Sequence, residues 1–331
     1  MNPFSRHYPF IRMACLSGFM LASSQSYALD QSTETADKAV NKLYHSLDNN
    51  STCKMAERLD MISESFLGTP YLLGALGEGP KGRFDQSPLY RTDGFDCETF
   101  VDTVLAVAFG HDLASFQQNI NHIRYRQGNV DFLTRNHFMS LDWDGNNQKQ
   151  GYIKDITQTF RNKNNKPVAL MAVALIDKPS WYQHFSINNI KLNKATEAER
   201  ATRLKELQSE GSRLPKTEAR IAYIPFTALF DKNNEPDTRL FAQIPDASII
   251  EIVRPNWDLE KQIGTHLNVS HLGFAFWKGE TLIFRQASSL EHKVIDIPLI
   301  DYLDSIRSSP TIKGINVQAI LPQKPLGGRC K

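Results

Sequence analysis

The residue type and setting that most suggest chemistry meet at Cys97. It stands in DGFDCETFVDTVLAVAFG, residues 93–110, where the turn Asp93-Gly94-Phe95-Asp96 runs into an apolar, helix-like segment. Asp96 is a good N-cap, which places Cys97 at the first helical position. A helix start offers unpaired backbone N–H groups and a partial positive charge, and both favour an anion. A thiol attacks only as the thiolate, so this is a place to make one. The Cys97 N–H is also free to meet a developing oxyanion. Asp96 and Glu98 flank the cysteine and oppose thiolate formation, an effect that a nearby imidazolium would offset. On the helix alone, a buried and inert cysteine is the commoner outcome.

A nucleophilic cysteine needs a base, and the base needs an orienting partner. Beyond the first residues the chain carries His45, His111, His122, His137, His184, His266, His271 and His292. His271 stands apart because it opens the strand-like HLGFAFW directly after the polar THLNVS, and a strand edge is a rigid mount for an imidazole. The next strand-like run, TLIFRQAS, carries Gln286. A hairpin turning at Lys278-Gly279-Glu280 brings Gln286 near His271, where its carbonyl can accept from the ring and fix the tautomer. Cys97 with His266 and His271 could instead hold a metal. No second cysteine or carboxylate sits at a recognised zinc spacing, so neither a metal nor an organic cofactor is expected.

The elements that must hold these residues follow from periodicity. Met55, Leu59, Ile62 and Phe66 recur at helical spacing, and Gly68-Thr69-Pro70 ends that run. A Gly-rich loop, GALGEGPKG, covers residues 74–82. The Cys97 helix runs to about Phe109 before Gly110, and Leu113, Phe116, Ile120 and Ile123 mark another amphipathic helix. The middle reads as irregular, with Trp143 and DGNNQKQG in loops, and Lys194–Glu210 reads as a solvated surface helix. ARIAYIP, ASIIEIV, HLGFAFW, TLIFRQAS, KVIDIP and INVQAIL then read as short strands, with a short helix around Asp301-Tyr302-Leu303. Helices first and antiparallel-looking strands later predict the α+β class.

Composition excludes some functions. The 331 residues are 41% hydrophobic and 22% charged, with a net charge of +2 and no long Lys/Arg run, so nucleic acid is not an expected partner. No apolar stretch reaches the roughly 18 residues of a membrane span. The first residues, MNPFSRHYPFIRMACLSGFMLASSQSYALD, have Arg6 and Arg12, an apolar run from Met13 to Ala22, and small residues at Ser26 and Ala28. That layout predicts a secretory signal peptide over residues 1–28 and a single domain over 29–331, periplasmic or secreted. Cys15 does not fit a lipoprotein signal, because Arg12 stands where an apolar residue should precede the cysteine. Cys53, Cys97 and Cys330 remain, an odd number that fits either one disulfide plus a free thiol or no disulfide; Cys53 and Cys330 are the candidate pair, since chain ends often lie close together, and Cys97 is expected to stay reduced either way.

GTPYLLGALGEG, DGFDCETFVDTVLA, VSHLGFAF and FRQASS, in that order, resemble the NlpC-type cell-wall cysteine peptidases. More narrowly they resemble the N-acetylmuramoyl-L-alanine amidase-like branch, as do NHIRYRQGNVDFLTRNHFMSLDW and IIEIVRPNWDL. The resemblance covers roughly Phe66 to Ile320. It implies a papain-like NlpC-type fold, with the nucleophile at a helix start packed on an antiparallel sheet or barrel. It implies Cys97 as nucleophile, His271 as general base and Gln286 in the third polar position, where histidine is frequent in the wider clan. Tyr71 matches a tyrosine lining the cleft, and Asp96 matches the acid of an Asp-Cys pair. Glu98-Thr99 replaces the usual small Ser-Gly after the cysteine. The implied reaction is hydrolysis, through a thioester, of the amide between N-acetylmuramic acid and L-Ala in peptidoglycan or muropeptide fragments. Asp142 and Trp143, with Arg124 and Trp257, are the expected sugar or peptide contacts. An endopeptidase cutting γ-D-Glu–diamino acid bonds and a non-catalytic cell-wall-binding module are the alternatives. Oligomeric state is not legible in the sequence.

Overall fold

The structure, a computed structural model, describes residues 33–49 and 54–326. The expected signal peptide and the candidate Cys53–Cys330 pair fall outside the described residues. Four helices come first: α1 (Thr33–Asn49), α2 (Met55–Glu64), α3 (Cys97–Phe109) and α4 (Leu113–Arg124). α3 is apolar on every side, and a helix of that kind must be enclosed. All its residues from Thr99 to Phe109 are buried. No helix among the described residues is long and apolar enough to cross a membrane.

Eight strands follow: β1 (Ile153–Asp155), β2 (Leu170–Asp177), β3 (Lys216–Pro225), β4 (Ser248–Leu259), β5 (Thr265–Lys278), β6 (Thr281–Ser288), β7 (Lys293–Pro298) and β8 (Gly314–Ile320). They form one sheet in the order β2-β3-β8-β4-β5-β6-β7, with β1 paired to β8, and every pairing is antiparallel. The chain is therefore α+β. Side chains on a strand alternate between faces, and β5 uses both. Leu272, Phe274 and Phe276 enter the core shared with α2, α3 and α4. Ala275 and Trp277 enter a second core with Phe284 and the Leu299–Ile306 helix. α3 thus lies directly on the β5–β6 face.

The middle of the chain is more ordered than its sequence suggests. Residues 139–143 form a π-helical turn that passes into a helix over Asp144–Lys149, where loops were expected. β2 also lies in this stretch. Its LMAVALID is rich in Leu, Met and Ala, which carry little intrinsic strand preference, and pairing with β3 supplies what local preference does not. The charged helix forms over Glu197–Gly211 and is mostly solvated, although Leu207 anchors it in a third core.

Candidate active site

Asp96 caps α3 as its sequence predicts. Its side chain accepts from the Thr99 N–H at 2.9 Å, and the Thr99 hydroxyl accepts from the Asp96 N–H at 3.0 Å, which closes a capping box. The second Asp96 oxygen accepts from the Gly74 N–H at 3.1 Å, so the same residue ties the Gly-rich loop to the start of α3. Lys191 holds that loop from the far side by donating to the Gly74 carbonyl at 2.6 Å. Residues 70–72 are laced to Phe95 through the Leu72 and Phe95 N–H groups, which brings Tyr71 beside Cys97 and Asp96. Burial, then the Cys97 and Asp96 charges, push the Tyr71 phenol well up, so it stays a neutral O–H donor.

Cys97 is half-buried and is the free cysteine among the described residues. The backbone N–H groups of Leu272 and Glu98 face its sulfur and favour the thiolate. Burial outweighs them, with Asp96 and Glu98 adding to it, and the thiol is pushed far above its ordinary range. The helix start therefore does not produce a resting thiolate. Desolvation of a full charge is the larger effect, and the flanking carboxylates act with it rather than against it.

Leu272 follows His271, so the thiol rests on the β5 backbone one residue from the imidazole. The β5–β6 hairpin turns through Gly279-Glu280 between the paired Lys278 and Thr281, with Gly279 left-handed at φ 62°. Its register, which pairs Phe274 with Arg285, puts Gln286 on the diagonal from His271. The His271 Nε2 and Gln286 Oε1 atoms are hydrogen-bonded. A Gln carbonyl can only accept, so Nε2 carries the proton and Nδ1 keeps its lone pair. Gln286 is 3% exposed, which fixes this partner in place. Burial lowers the His271 pKa to about 4 against the opposing pull of the Gln286 bond, so the ring is neutral at pH 7. Gly273 lets the strands close here, because a Cβ would sit 2.6 Å from the Arg285 carbonyl oxygen. Tyr302 packs beside the imidazole with ring centroids 6.2 Å apart. Sequence placed Tyr302 in a short helix but gave no sign that it backs the histidine. No hydrogen bond joins the thiol to His271 in this structure; they are neighbours through Leu272. Such bonds are often long without substrate.

The other expected contacts have partners of their own. Trp143 has no exposed surface, and its indole N–H donates to Asp102 at 2.8 Å, so its ring cannot stack on a ligand. Asp142 pairs with Lys178 at 2.7 Å and makes no contact with the Cys97 group. Arg124 is buried and donates to the Leu89 carbonyl at 2.8 Å. Trp257 lies under the Arg254 guanidinium, 4.0 Å from its carbon. Each of the four is engaged by a neighbouring group within the fold. The only described trio with donor atoms close enough for a metal is Asp258, Glu260 and His266, and it does not include Cys97 or His271.

Comparison with known proteins gives a consistent placement. The model of a family described as N-acetylmuramoyl-L-alanine amidase-like matches residues 61–312. The crystal structure of LPG0564 from Legionella pneumophila is 54% identical, covers 88% of this chain and 97% of its own, and superposes with a TM-score of 0.86. An N-acetylmuramoyl-L-alanine amidase from Bacteroides uniformis is 23% identical over 81% of this chain and 99% of its own, with a TM-score of 0.56, a likeness of fold. Comparison with curated proteins finds no match. With the family model spanning most of its length, Cys97, His271 and Gln286 included, this chain belongs to the N-acetylmuramoyl-L-alanine amidase-like family.

Proposed function

We propose that this chain is a secreted cysteine amidohydrolase on an NlpC-type, papain-like scaffold. Its substrate is the amide between the lactyl group of N-acetylmuramic acid and L-Ala, in peptidoglycan or its fragments. The observation that carries the reading is Cys97 at the start of α3, its sulfur facing the N–H of the residue that follows His271, with His271 Nε2 bonded to Gln286. Membership of the N-acetylmuramoyl-L-alanine amidase-like family supports this choice of bond.

The resting pair is a neutral thiol and a neutral imidazole. As Sγ attacks the amide carbonyl, its proton passes to His271 Nδ1, and Gln286 holds the other ring nitrogen so that this face stays basic. The Cys97 N–H, with the Tyr71 hydroxyl, meets the oxyanion. His271 returns the proton to the leaving nitrogen, the C–N bond breaks and a thioester remains. Water, deprotonated by His271, then releases the muramic carboxylate and regenerates the thiol.

The test is incubation of the chain, beside a Cys97→Ala control, with muropeptides carrying the N-acetylmuramoyl-L-Ala link, followed by mass spectrometry. Intact stem peptide released only by the wild type is the expected result. A dipeptide fragment would point to endopeptidase action instead. No product, together with a Cys97 inert to iodoacetamide, would end the enzymatic reading.

A further inference from the structure

The His271 imidazole is aimed by a bulge in its own strand. In the β4–β5 register Ile252 pairs with His271, but Val253 pairs with Val269, so Ser270 is an extra residue on β5. Ile252 and Val253 are neighbours on β4 and point to opposite faces. The bulge therefore sends Val269 into one core, with Val253 and Ile221, and turns His271 to the face that carries Ile252 and Phe284. There the imidazole meets the Phe284 ring edge-on at 5.9 Å and the Tyr302 ring at 6.2 Å with a 40° tilt. The Phe284 and Tyr302 rings lie 4.9 Å apart, so they form one wall. Ile252, Phe284 and Gln286 are buried, whereas Tyr302 keeps accessible surface and is the outermost of the group. It comes from the Leu299–Ile306 helix, which Leu299 and Leu303 fix in the second core. Charged neighbours are turned away. Arg285, on the opposite face of β6 from Gln286, is taken by Asp296 and Asp60, and Asp301 is exposed. Burial, then the Gln286 bond, are the influences that act on His271.

We propose that Tyr302 is a positioning residue for His271: its ring covers the outward side of the imidazole, holds it in the rotamer that Gln286 bonds, and keeps water from it. The inference rests on the reading of His271 as the base. With Nε2 bonded to Gln286 and the ring held between Phe284 and Tyr302, Nδ1 is presented in one direction. An imidazole shut from water also stays unprotonated, because an imidazolium would lose hydration that a wall of carbon does not replace. Removing the Tyr302 ring admits water on that side and favours the protonated form.

The experiment is an NMR titration of the His271 imidazole in the full chain, its signal assigned against His271→Ala. The variants are Tyr302→Phe, Tyr302→Leu and Tyr302→Ala, each first checked for folding by circular dichroism. Tyr302→Phe keeps the ring and should titrate as the wild type does. Tyr302→Ala should bind the imidazole proton at least about threefold more tightly. Tyr302→Leu retains apolar contact with the second core, should shift in the same direction, and decides the matter if the alanine variant does not fold. A residue that only packs would lower stability without moving this titration. An imidazole that titrates alike in the wild type and in the folded leucine or alanine variant overturns the proposal. So does an equal shift in Tyr302→Phe, which would assign the effect to the hydroxyl. The titration needs no substrate. Muropeptides left uncleaved while the shift appears would remove the amidase reading and keep the role of Tyr302, whereas cleavage with an unmoved titration would do the reverse.

Discussion

Glu251→Gln should stabilise this protein at alkaline pH and leave it unchanged in acid. Glu251 lies on β4 with no exposed surface. It faces the Asp144 carboxyl and the Gln318 amide, but neither of its oxygens has a well-aligned hydrogen bond. Burial is the main reason its pKa rises from the ordinary 4.5 to about 7, with Asp155 adding repulsion. At about 1.36 kcal/mol for each tenfold change in proton affinity, that rise corresponds to about 3 kcal/mol. The sign follows from linkage: the folded state binds this proton more tightly than the unfolded chain. Its contribution is therefore fully present below about pH 4.5 and is lost as pH rises through about 7. A neutral amide never ionises, and its NH₂ can donate to Asp144, whose own pKa Glu251 helps to raise. Urea unfolding followed by circular dichroism between pH 4.5 and 8.5 measures the difference. The variant should gain up to about 3 kcal/mol at pH 8 and almost nothing at pH 4.5. A difference that stays flat across this range would refute the argument, because it would mean that Glu251 does not titrate against the fold.

The remaining predictions concern the cleft and its supports. The acid limb of kcat/KM should fall near pH 4 rather than near 6.5, because His271 is a base only while neutral and burial keeps it so. A pH–rate profile checks this. Gln286→Leu leaves the His271 N–H unpaired and should destabilise by about 1–3 kcal/mol. It should also lower the imidazole pKa further, readable by NMR titration, since the lost bond was holding it up. Asp96→Ala removes the α3 cap and the Gly74 tether together and should reduce stability by about 0.5–2 kcal/mol. Because the Asp96 charge also opposes the thiolate, iodoacetamide labelling of Cys97 should begin at lower pH. Trp143→Phe should weaken the fold by about 1–3 kcal/mol by stripping Asp102 of a buried donor, with KM for muropeptides unchanged.

What the sequence determined by itself is what short-range physics controls. A capping acid followed by an apolar run is enough to start α3 at Cys97, because cap and helix lie within four residues. Alternation and a Gly turn are enough to fold β5 against β6 and to set His271 diagonal to Gln286, because hairpin register is fixed by the turn. Three things were decided only in the assembled fold. Trp143 became a core residue because α3 presented a buried Asp102 to its indole, and no spacing announces that meeting of residues 41 positions apart. β2 became a strand because β3 was there to pair with it. The charge state of Cys97 was set by how much protein surrounds the sulfur: the sequence shows a helix start that invites a thiolate, whereas the packing of β5 against α3 removes the water that a thiolate requires. Local order is written in neighbouring residues, but burial belongs to the whole chain.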